Sequence, residues 1–552
     1  MAIILATSAA AAVAMASTPP KTILTVLIDD LGFNDLQTHN PLSPTPHIGS
    51  LARSGLELTQ YHAYMYCSPT RRSILSGRFP VHLGTYQAPV CSNYLPLQMT
   101  LLPAKLALAN FSGHMLGKGH LGYQTTDHLP ANRGFDSHLG YLESAEHYYH
   151  GLQEGCDIPE YENLPTGKQH TAAEPGPRHG QWPPPGNGAP RAWQCHLDLW
   201  HNHTTAWPSV LAALQYDTNT YAQRAVDLIT GTPASQRLFV HLMWHAVHSP
   251  YTPAPLWETI APSDGAATFA NYCPPAGVAQ TPKQHERCNF GGILKVLDAG
   301  MANVTAALRA SGRWQDTLMW VSSDNGGIGP GNNWPNRGQK ATPWQGGTRV
   351  AAFLSGGWLP ASLRGTSNPA LMHVADVYPT LSALVGVDPS DTVYLPAHGP
   401  ASAPRPIDGV NVLPLLLAGA SVSPREFVPT TERSLIWQQQ QPLQPLQPTN
   451  PPQRYPRGYN GLPRLWKLIT GAGRSGWYPA ALGYNTSSGK TGATSTEWPC
   501  VGVEKSAWFG GKCSVCSVAR PCLFDLSVDV GERTNLASQQ PAIVVRHAYP
   551  CT

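Results

Sequence analysis

The run Ile23-Leu24-Thr25-Val26-Leu27-Ile28 is rich in apolar and β-branched residues and ends abruptly at Asp29-Asp30-Leu31-Gly32. A short unbroken run of this kind predicts a strand buried on both faces, as in a parallel sheet covered by helices. Two later runs, Leu238 to Trp244 and Thr317 to Val321, have the same character. We therefore predict that all three are strands of one buried sheet.

Helical patterns lie before the second and third of these runs. Tyr221 to Ile229 precedes the second run, and Ile293 to Leu308 precedes the third. Ser311-Gly312 follows the later helix, and glycine commonly occupies the position that ends a helix. Alternating helices and buried strands predict an α/β fold whose ligand site lies at the carboxyl ends of the strands.

The length of the chain predicts two domains, because 552 residues exceed what one compact core usually holds. We predict a catalytic domain over residues 22–420 and a smaller C-terminal α+β domain over residues 421–552. Arg433 to Trp437 and Leu465 to Thr470 are predicted as short strands of the smaller domain. Between them, Gln438 to Pro456 is a Gln/Pro-rich insertion with polyproline character.

Charge and hydrophobicity restrict the partners and the compartment. The chain carries 36 Lys and Arg against 33 Asp and Glu, with no basic stripe, so nucleic acid is not an expected partner.

Met1 to Ser17 is an apolar, alanine-rich run that contains the small-x-small cleavage pattern Ala14-Met15-Ala16. We predict a signal peptide over residues 1–16, with a disordered leader as the alternative. No later stretch is apolar enough to span a bilayer. From the predicted signal peptide we expect the secretory pathway, with an extracellular or lysosome-like destination.

Eleven cysteines support a secreted chain, because disulfides form in oxidising compartments. With Cys67 set aside for chemistry, plausible local pairs are Cys156 with Cys195 and Cys273 with Cys288. Four later cysteines could suit a zinc site or a redox pair, although disulfides are the stronger interpretation: Cys500, Cys513, Cys516 and Cys522. Glycosylation is predicted at four Asn-x-Ser/Thr triplets, which begin at Asn110, Asn202, Asn303 and Asn485.

The motif Cys67-Ser68-Pro69-Thr70-Arg71 is the sharpest local signal in the chain. Pro69 suits the first turn of a helix that ends near Gly77, which places residue 67 at a helix N-terminus, where anionic groups are stabilised. A thiol phosphatase needs Cys-x5-Arg, but that spacing reaches Ser73. A disulfide at residue 67 would leave the proline and the arginine unexplained. The pattern therefore favours a reactive residue at position 67.

Two polar pairs follow buried strands and form a candidate metal site. Asp29-Asp30 follows the first strand, and Asp324-Asn325 follows a later one. Carboxylate and amide oxygens suit Ca²⁺ or Mg²⁺ better than zinc. Taken alone, Asp29-Asp30 could be a strand-end turn. A zinc-protease helix is rejected, because His241-Leu-Met-Trp-His245 lacks the internal glutamate.

The chain resembles the sulfatase family at several of these motifs. Cys67-x-Pro69-x-Arg71, continued by Leu75-Ser76-Gly77-Arg78, is similar to the signature whose cysteine a formylglycine-generating enzyme oxidises to formylglycine. The resemblance implies that fold: an alkaline-phosphatase-like mixed sheet covered by helices, with a smaller C-terminal antiparallel sheet. It also implies one calcium ion, held by Asp29, Asp30, Cys67 as modified, Asp324 and Asn325.

Other segments extend the resemblance and imply roles for their residues. Gly117-Lys118-Gly119-His120 and Ala246-Val247-His248-Ser249-Pro250 are similar to family elements, as is the stretch from Asn333 to Lys340. Lys118 and Lys340 are expected to bind the sulfate, and Arg71 to fix the modified residue. His120 is expected to bond a hydroxyl of the hydrated aldehyde. His248 is expected to contact substrate and donate a proton, with His245 as a competitor.

The resemblance implies hydrolysis of sulfate esters, with aryl sulfates or sulfated glycans as substrates. Within the family the likeness is to arylsulfatase B, the N-acetylgalactosamine-4-sulfatase type. Two alternatives stay open. A phosphoesterase of the same fold is expected to use Ser or Thr as nucleophile and often zinc bound by His, and a non-catalytic binding protein is expected to have lost pocket residues.

Overall fold

A computed structural model of the chain describes most of the predicted catalytic domain and part of the C-terminal region. The described residues are 18–83, 94–144, 146–148, 198–205, 216–252, 272–273, 282–391, 406–439, 463–471, 484–485, 490–491 and 516–548. The predicted signal peptide, Cys156, Cys195, Cys500 and Cys513 lie outside these residues, as does the Gln/Pro-rich insertion after Gln439.

The strands of the described residues form one large sheet and three smaller ones. In chain order they are β1 (Thr22–Ile28), β2 (Leu56–Leu58), β3 (Tyr61–His62), β4 (Phe111–Lys118), β5 (Ser137–Tyr141), β6 (Trp200–His201), β7 (Thr204–Thr205), β8 (Arg237–Trp244), β9 (Thr317–Ser323), β10 (Ala352–Ser355), β11 (Thr366–Asn368), β12 (Met372–His373), β13 (Phe427–Thr431), β14 (Ser434–Gln439), β15 (Arg464–Ile469), β16 (Tyr484–Asn485), β17 (Lys490–Thr491) and β18 (Cys522–Asp525).

Helices flank these strands. The α-helices are α1 (Pro46–Arg53), α2 (Cys67–Ser76), α3 (Pro80–Leu83), α4 (Leu102–Ala107), α5 (Asp217–Gly231), α6 (Pro282–Ala310), α7 (Gln345–Thr348), α8 (Val377–Leu384), α9 (Leu413–Leu417) and α10 (Pro541–Ala548). Single 3-10 turns occur at Phe33–Asp35, Thr126–His128, Pro130–Asn132, Trp314–Asp316, Ala361–Leu363 and Val374–Asp376. The predicted helices at 221–229 and 293–308 are confirmed within α5 and α6.

The large sheet is mixed, with a parallel centre. Its order is β11-β2-β10-β9-β1-β8-β4-β5-β6-β7. The three predicted strands are its centre, since β1 pairs in parallel with β8 on one side and β9 on the other. Ile28 lies opposite both Ser323 and Trp244, so the three strands end at the same level. The residues that follow them therefore emerge together at one edge.

The centre of the sheet is buried on both faces, as predicted. Leu24, Val26 and Ile28 belong to one hydrophobic cluster, which includes residues of α5 and α6. Ile23 and Leu27 belong to a second cluster, which includes residues of α2 and α8. Because successive side chains of a strand point to opposite faces, the unbroken apolar run is explained by helices on each side.

A separate antiparallel sheet lies in the C-terminal region, in the order β13-β14-β15-β18. It contains both strands predicted there, because β14 covers the first and β15 the second. The fold is therefore a mixed α/β sheet with a smaller C-terminal antiparallel sheet, as predicted. The domain boundary near residue 420 stays a prediction.

The cysteine predictions can be checked in part. Cys273 and Cys288 form a disulfide, which confirms that predicted pair. Cys516 and Cys522 are also bonded to each other, so these two are not zinc ligands. Cys67 is a free, buried thiol. Among the described residues no helix is both long and apolar enough to cross a membrane. The predicted glycosylation of the four asparagines stays a prediction.

Candidate active site

The ends of β1 and β9 bring two polar pairs together. Asp29 and Asp30 follow β1 directly, and Asp324 and Asn325 follow β9. The backbone amide of Asp30 donates to Asp324 Oδ1 at 3.3 Å, and Asn325 Nδ2 donates to Asp30 Oδ1 at 2.6 Å. The strand register thus carries four of the five predicted metal ligands into one buried cluster.

The backbone of Asp30 has an unusual conformation at this point. Its φ is 56°, in the left-handed region that non-glycine residues rarely adopt. His120 has a similar φ of 52°. Such conformations cost energy and are concentrated at functional sites, where surrounding contacts hold them. Nothing in the amino-acid types of these two positions predicted the strain.

Cys67 is the first residue of α2, which ends at Gly77 with a φ of 69°. Both boundaries match the predicted helix. Burial, reinforced by the neighbouring charge of Asp29, raises the pKa of the Cys67 thiol to about 12. The helix N-terminus was expected to favour an anion here, but burial and Asp29 outweigh it. At neutral pH the unmodified side chain is therefore a thiol.

Arg71 lies one helical turn beyond Cys67 and reaches back into the cluster. Its Nη2 is 2.8 Å from Asp324 Oδ2, and its Nη1 donates to the carbonyl oxygen of Lys118 at 2.8 Å. The side chain is fully buried. One guanidinium therefore ties helix α2 to the ends of β9 and β4.

Two lysines pair with the two aspartates that follow β1. Lys118 Nζ forms a short, fully buried ion pair with Asp29 Oδ2. Lys340 Nζ lies 2.7 Å from Asp30 Oδ1. Burial acts to lower the pKa of Lys340, but Asp30 outweighs it and the pKa lies well above its ordinary value. Both predicted sulfate-binding lysines thus lie at the same cluster.

The carboxylates of the cluster respond to these cations differently. Burial acts to raise the pKa of Asp29, but Lys118 and its neighbours outweigh it and the pKa falls well below the usual value. Burial and the charge of Asp29 raise the pKa of Asp324. Three carboxylates crowded into one buried cluster are typical of a site that binds a cation.

Unpartnered oxygens support a cation site. Asp29 Oδ1 and Asn325 Oδ1 are buried, and neither has a hydrogen-bond partner among the described residues. Donor atoms of Asp29, Asp30, Cys67 and His248 all lie within 4.8 Å of one another. Asp324 is not in that close group, and its Oδ2 is engaged by Arg71. The oxygens of Asp29, Asp30 and Asn325 fit a hard divalent cation, whereas the Cys67 sulfur and the His248 nitrogen are softer donors.

The two predicted histidines border the cluster. The backbone carbonyl of His120 accepts a hydrogen bond from Ser68 Oγ at 2.9 Å. The ring Nδ1 of His120 has no hydrogen-bond partner in the described part of the chain. Burial and Lys118 lower the pKa of His120 well below its usual value. His248 Nε2 lies 3.6 Å from Asp30 Oδ2. Burial and Lys340 lower the pKa of His248 to about 3, so both rings are neutral.

His245 does not face the cluster in the same way. Its ring lies between Asp217 Oδ2 and the Ser249 carbonyl oxygen, 3.1 Å from each, and it stacks on Tyr148. The same Ser249 carbonyl accepts from His248 Nδ1 at 2.7 Å. The geometry therefore places His248 at the cluster and His245 behind it. The sequence did not identify Asp217 or Tyr148.

The glycine-rich segment after Asn325 forms a close-packed loop beside the cluster. The amide of Gly327 donates to Asn333 Oδ1 at 2.9 Å. A side chain at Gly327 would come within 2.8 Å of the Gly32 Cα, so only glycine allows this approach. The loop therefore packs closely against the residues that follow β1.

The chain is similar to known proteins over most of its length. The family model described as Sulfatase matches residues 21–387. Arylsulfatase J of Mus musculus is 28% identical over 542 residues, which cover 96% of this chain and 75% of that protein. The predicted likeness to arylsulfatase B in particular stays a prediction.

Solved structures share the fold. PsFucS1 sulfatase from Pseudoalteromonas sp. has a TM-score of 0.61 at 18% identity, covering 99% of this chain and 95% of that one. Phosphonate monoester hydrolase of Agrobacterium radiobacter has a TM-score of 0.51 at 15% identity, covering 96% of this chain and 94% of that one. At these identities the likeness concerns the fold alone. The fold does not distinguish hydrolysis of a sulfate ester from hydrolysis of a phosphonate ester.

Proposed function

The chain belongs to the sulfatase family and is a sulfuric ester hydrolase; from this premise we propose that it acts through a formylglycine formed from Cys67, beside one calcium ion. The observation that carries the proposal is the convergence of Lys118, Lys340 and Arg71 with three carboxylates around residue 67. These cations attract a tetrahedral anion such as sulfate, and the carboxylates can act as metal ligands.

The state of residue 67 supports conversion of the cysteine. A thiol with a pKa near 12 is a poor nucleophile at neutral pH, because the thiolate is the reactive form. A hydrated aldehyde at this position supplies an oxygen nucleophile without requiring that ionisation. Arg71 is tied to Asp324 and to the Lys118 carbonyl, so it holds a fixed positive charge one turn from residue 67.

Asp29, Asp30, Asp324 and Asn325, with the modified residue 67, are the proposed ligands of the calcium ion. The unpartnered oxygens of Asp29 and Asn325 support this set, since calcium prefers oxygen donors. When bound, the ion supplies positive charge to sulfate oxygens and lowers the pKa of an oxygen bound to it. His248 lies at the edge of the same group of donor atoms, so it borders both metal and substrate.

Lys118 and Lys340 bind the sulfate oxygens in this proposal. Each now compensates one aspartate, Asp29 or Asp30. A metal ion would take over part of that compensation and leave the ammonium groups available for the substrate. Cations fixed in a buried site stabilise the charge that develops in sulfate transfer, because they need no reorganisation during the reaction.

The neutral histidines handle protons. His120 Nδ1 is unpartnered among the described residues, so it can accept a proton from a hydroxyl at residue 67. His248 is fixed through Nδ1 by the Ser249 carbonyl, which leaves Nε2 facing the cluster. Donation from Nε2 to the leaving oxygen requires that His248 gain a proton, and an arriving sulfate anion favours that protonation.

The substrates, partners and compartment belong to the same proposal. We expect aryl sulfates or sulfated glycans as substrates, and the formylglycine-generating enzyme as a partner during maturation. The similarity to arylsulfatase J supports the aryl sulfate class. The two disulfides among the described residues, Cys273–Cys288 and Cys516–Cys522, support a route through the secretory pathway.

A comparison of aryl sulfate and aryl phosphate hydrolysis tests the proposal. The chain is produced with a formylglycine-generating enzyme, and 4-nitrophenyl sulfate and 4-nitrophenyl phosphate are compared for wild type, Cys67→Ala and Cys67→Ser. We expect turnover of the sulfate by wild type alone. Preferred turnover of the phosphate, retained by Cys67→Ser, indicates the phosphoesterase alternative. Binding without turnover of either ester indicates the non-catalytic alternative.

A further inference from the structure

The segment that carries Lys340 packs against the C-terminal sheet through Trp344. Before Lys340, the Arg337 guanidinium lies 3.6 Å from the centre of the Trp344 ring. After it, Trp344 is fully buried and packs edge-on against Phe524 of β18 at 5.7 Å. Trp344 belongs to the hydrophobic cluster of that sheet. The substrate-binding segment therefore shares a core with the C-terminal sheet.

Glu532 is the polar centre of this contact. Its Oε2 accepts from the backbone amide of Gln345 at 2.7 Å, at the start of helix α7. Its Oε1 lies 2.9 Å from Lys467 Nζ of β15, and both side chains are fully buried. Its carbonyl oxygen accepts from Arg337 Nη1 at 3.4 Å. One residue thus contacts the segment on both sides of Lys340.

Glu532 also has a strained backbone, with a φ of 53°. A non-glycine residue in this region costs energy and persists only where other contacts fix it. The Lys467 ion pair and the two contacts to the segment 337–345 are such contacts. The strain therefore accompanies a position whose side chain must point at Gln345.

The middle of the segment is hydrogen-bonded to the loop that leads from β3 to residue 67. The amide of Ala341 donates to the Met65 carbonyl at 2.9 Å, and Lys340 Nζ lies 2.7 Å from Asp30 Oδ1. The segment that carries Lys340 is therefore held by Glu532, which contacts Arg337 and Gln345, and by Met65, which bonds to Ala341. Gln345, whose amide donates to Glu532, lies close to Lys340 in the sequence.

We propose that Glu532, held by Lys467, is a positioning residue for Lys340 and so sets how tightly the site binds the sulfate group. The inference rests on the proposed sulfate-binding role of Lys340. It assigns the C-terminal sheet a part in the reaction without any contact to substrate. In enzymes, a displacement of about 1 Å at a binding group can cost roughly a hundredfold in rate.

The test must separate positioning from stability. Removing only one member of the Glu532–Lys467 pair leaves a buried charge uncompensated, which destabilises the fold by itself. Both members are therefore replaced together. Glu532→Leu/Lys467→Met removes the acceptor for the Gln345 amide, whereas Glu532→Gln/Lys467→Met retains an acceptor oxygen. Arg464→Met is the matched control, because it breaks an ion pair with Asp525 on the same sheet, away from the segment 337–345.

Two readouts are measured for each variant: the rise in melting temperature caused by inorganic sulfate, and kcat and KM with 4-nitrophenyl sulfate. We expect Glu532→Leu/Lys467→Met to weaken sulfate binding and kcat/KM by roughly tenfold. We expect Glu532→Gln/Lys467→Met and Arg464→Met to stay near wild type. Adding Lys340→Ala to the Leu/Met variant is expected to cause no greater loss than Lys340→Ala alone.

Two results overturn the proposal: sulfate binding by the Leu/Met variant equal to wild type, or losses that multiply with those of Lys340→Ala. Failure of the proposed function gives a different pattern. Wild type then turns over no sulfate ester, yet the sulfate-dependent melting shifts still follow the order expected for positioning, and the positioning inference stands.

Discussion

Arg71 and Asp324 form a fully buried ion pair, with Nη2 and Nε of the arginine 2.8 and 2.9 Å from the same carboxylate oxygen. Neither side chain is exposed to solvent. The pair joins the helix that begins at Cys67 to the end of the central strand β9. The ion pair therefore links the helix that carries residue 67 to the polar residues at the end of β9.

Arg71→Met is expected to destabilise the protein, because it leaves Asp324 buried without its main cation. Breaking a buried ion pair in this way typically costs about 3–5 kcal/mol. The free energy of unfolding from urea titration measures the effect. Arg71→Lys keeps the charge and is expected to lose less. An unchanged unfolding free energy in Arg71→Met contradicts the structural role given to the pair.

Lys118→Ala and Lys340→Ala are each expected to lower kcat/KM for an aryl sulfate by about a hundredfold or more, since each removes a cation from a buried anion site. Lys21→Ala is the matched control, because Lys21 forms an ion pair with Asp316 in which both side chains are about half exposed. Steady-state kinetics give the comparison. Activity within twofold of wild type in either site variant argues against its proposed role.

Calcium is expected to stabilise the fold. Chelation is predicted to lower the melting temperature, and calcium at about 100 times its Kd to restore about 2.7 kcal/mol. Asn325→Ala removes one of the unpartnered oxygens and is expected to reduce the calcium-dependent shift. Differential scanning calorimetry with and without chelator shows the effect. Equal melting curves in both conditions mean that the oxygens hold no calcium.

Acid is expected to destabilise the protein through buried neutral histidines. Burial lowers the pKa of His138 and of His241 to about 3, against 6.5 for an exposed histidine. Between pH 6.5 and pH 3, these two histidines therefore bind protons in the unfolded chain but not in the folded chain. This part of the stability is complete above pH 6.5 and falls as the pH drops towards 3, by at most about 2 kcal/mol per histidine at pH 5.

Unfolding free energies measured between pH 7 and pH 4 check this prediction. The glutamine in His241→Gln cannot titrate. The unfolding free energy of this variant is therefore expected to depend less steeply on pH, by up to the uptake of one proton on unfolding. Its neighbour Thr25, whose hydroxyl lies 2.6 Å from His241 Nδ1, can still bond to the amide. A variant whose stability depends on pH as steeply as wild type shows that His241 does not contribute.

The sequence predicted the centre of the fold because the signal there is local. The apolar runs before Asp29 and before Asp324 are each long enough to identify a buried strand. Parallel strands end at one edge, so the two polar pairs could be brought together without knowledge of the helices between them. The boundaries of helix α2 followed in the same way from Pro69 and Gly77.

The remaining features of the site depend on contacts that no local pattern encodes. Glu532 lies 187 residues beyond Gln345, whose amide it binds. The thiol pKa of Cys67 reflects burial and Asp29 more than the helix N-terminus that the motif predicts. His245 and His248 are only three residues apart, and tertiary packing alone decides which one faces the cluster.

Mass spectrometry of the peptide that contains residue 67, taken from protein fractions of known activity, tests the central claim most directly. The account predicts an aldehyde at residue 67, with sulfate ester turnover that rises in proportion to the converted fraction. Full activity in a preparation whose Cys67 is entirely an unmodified thiol would contradict it.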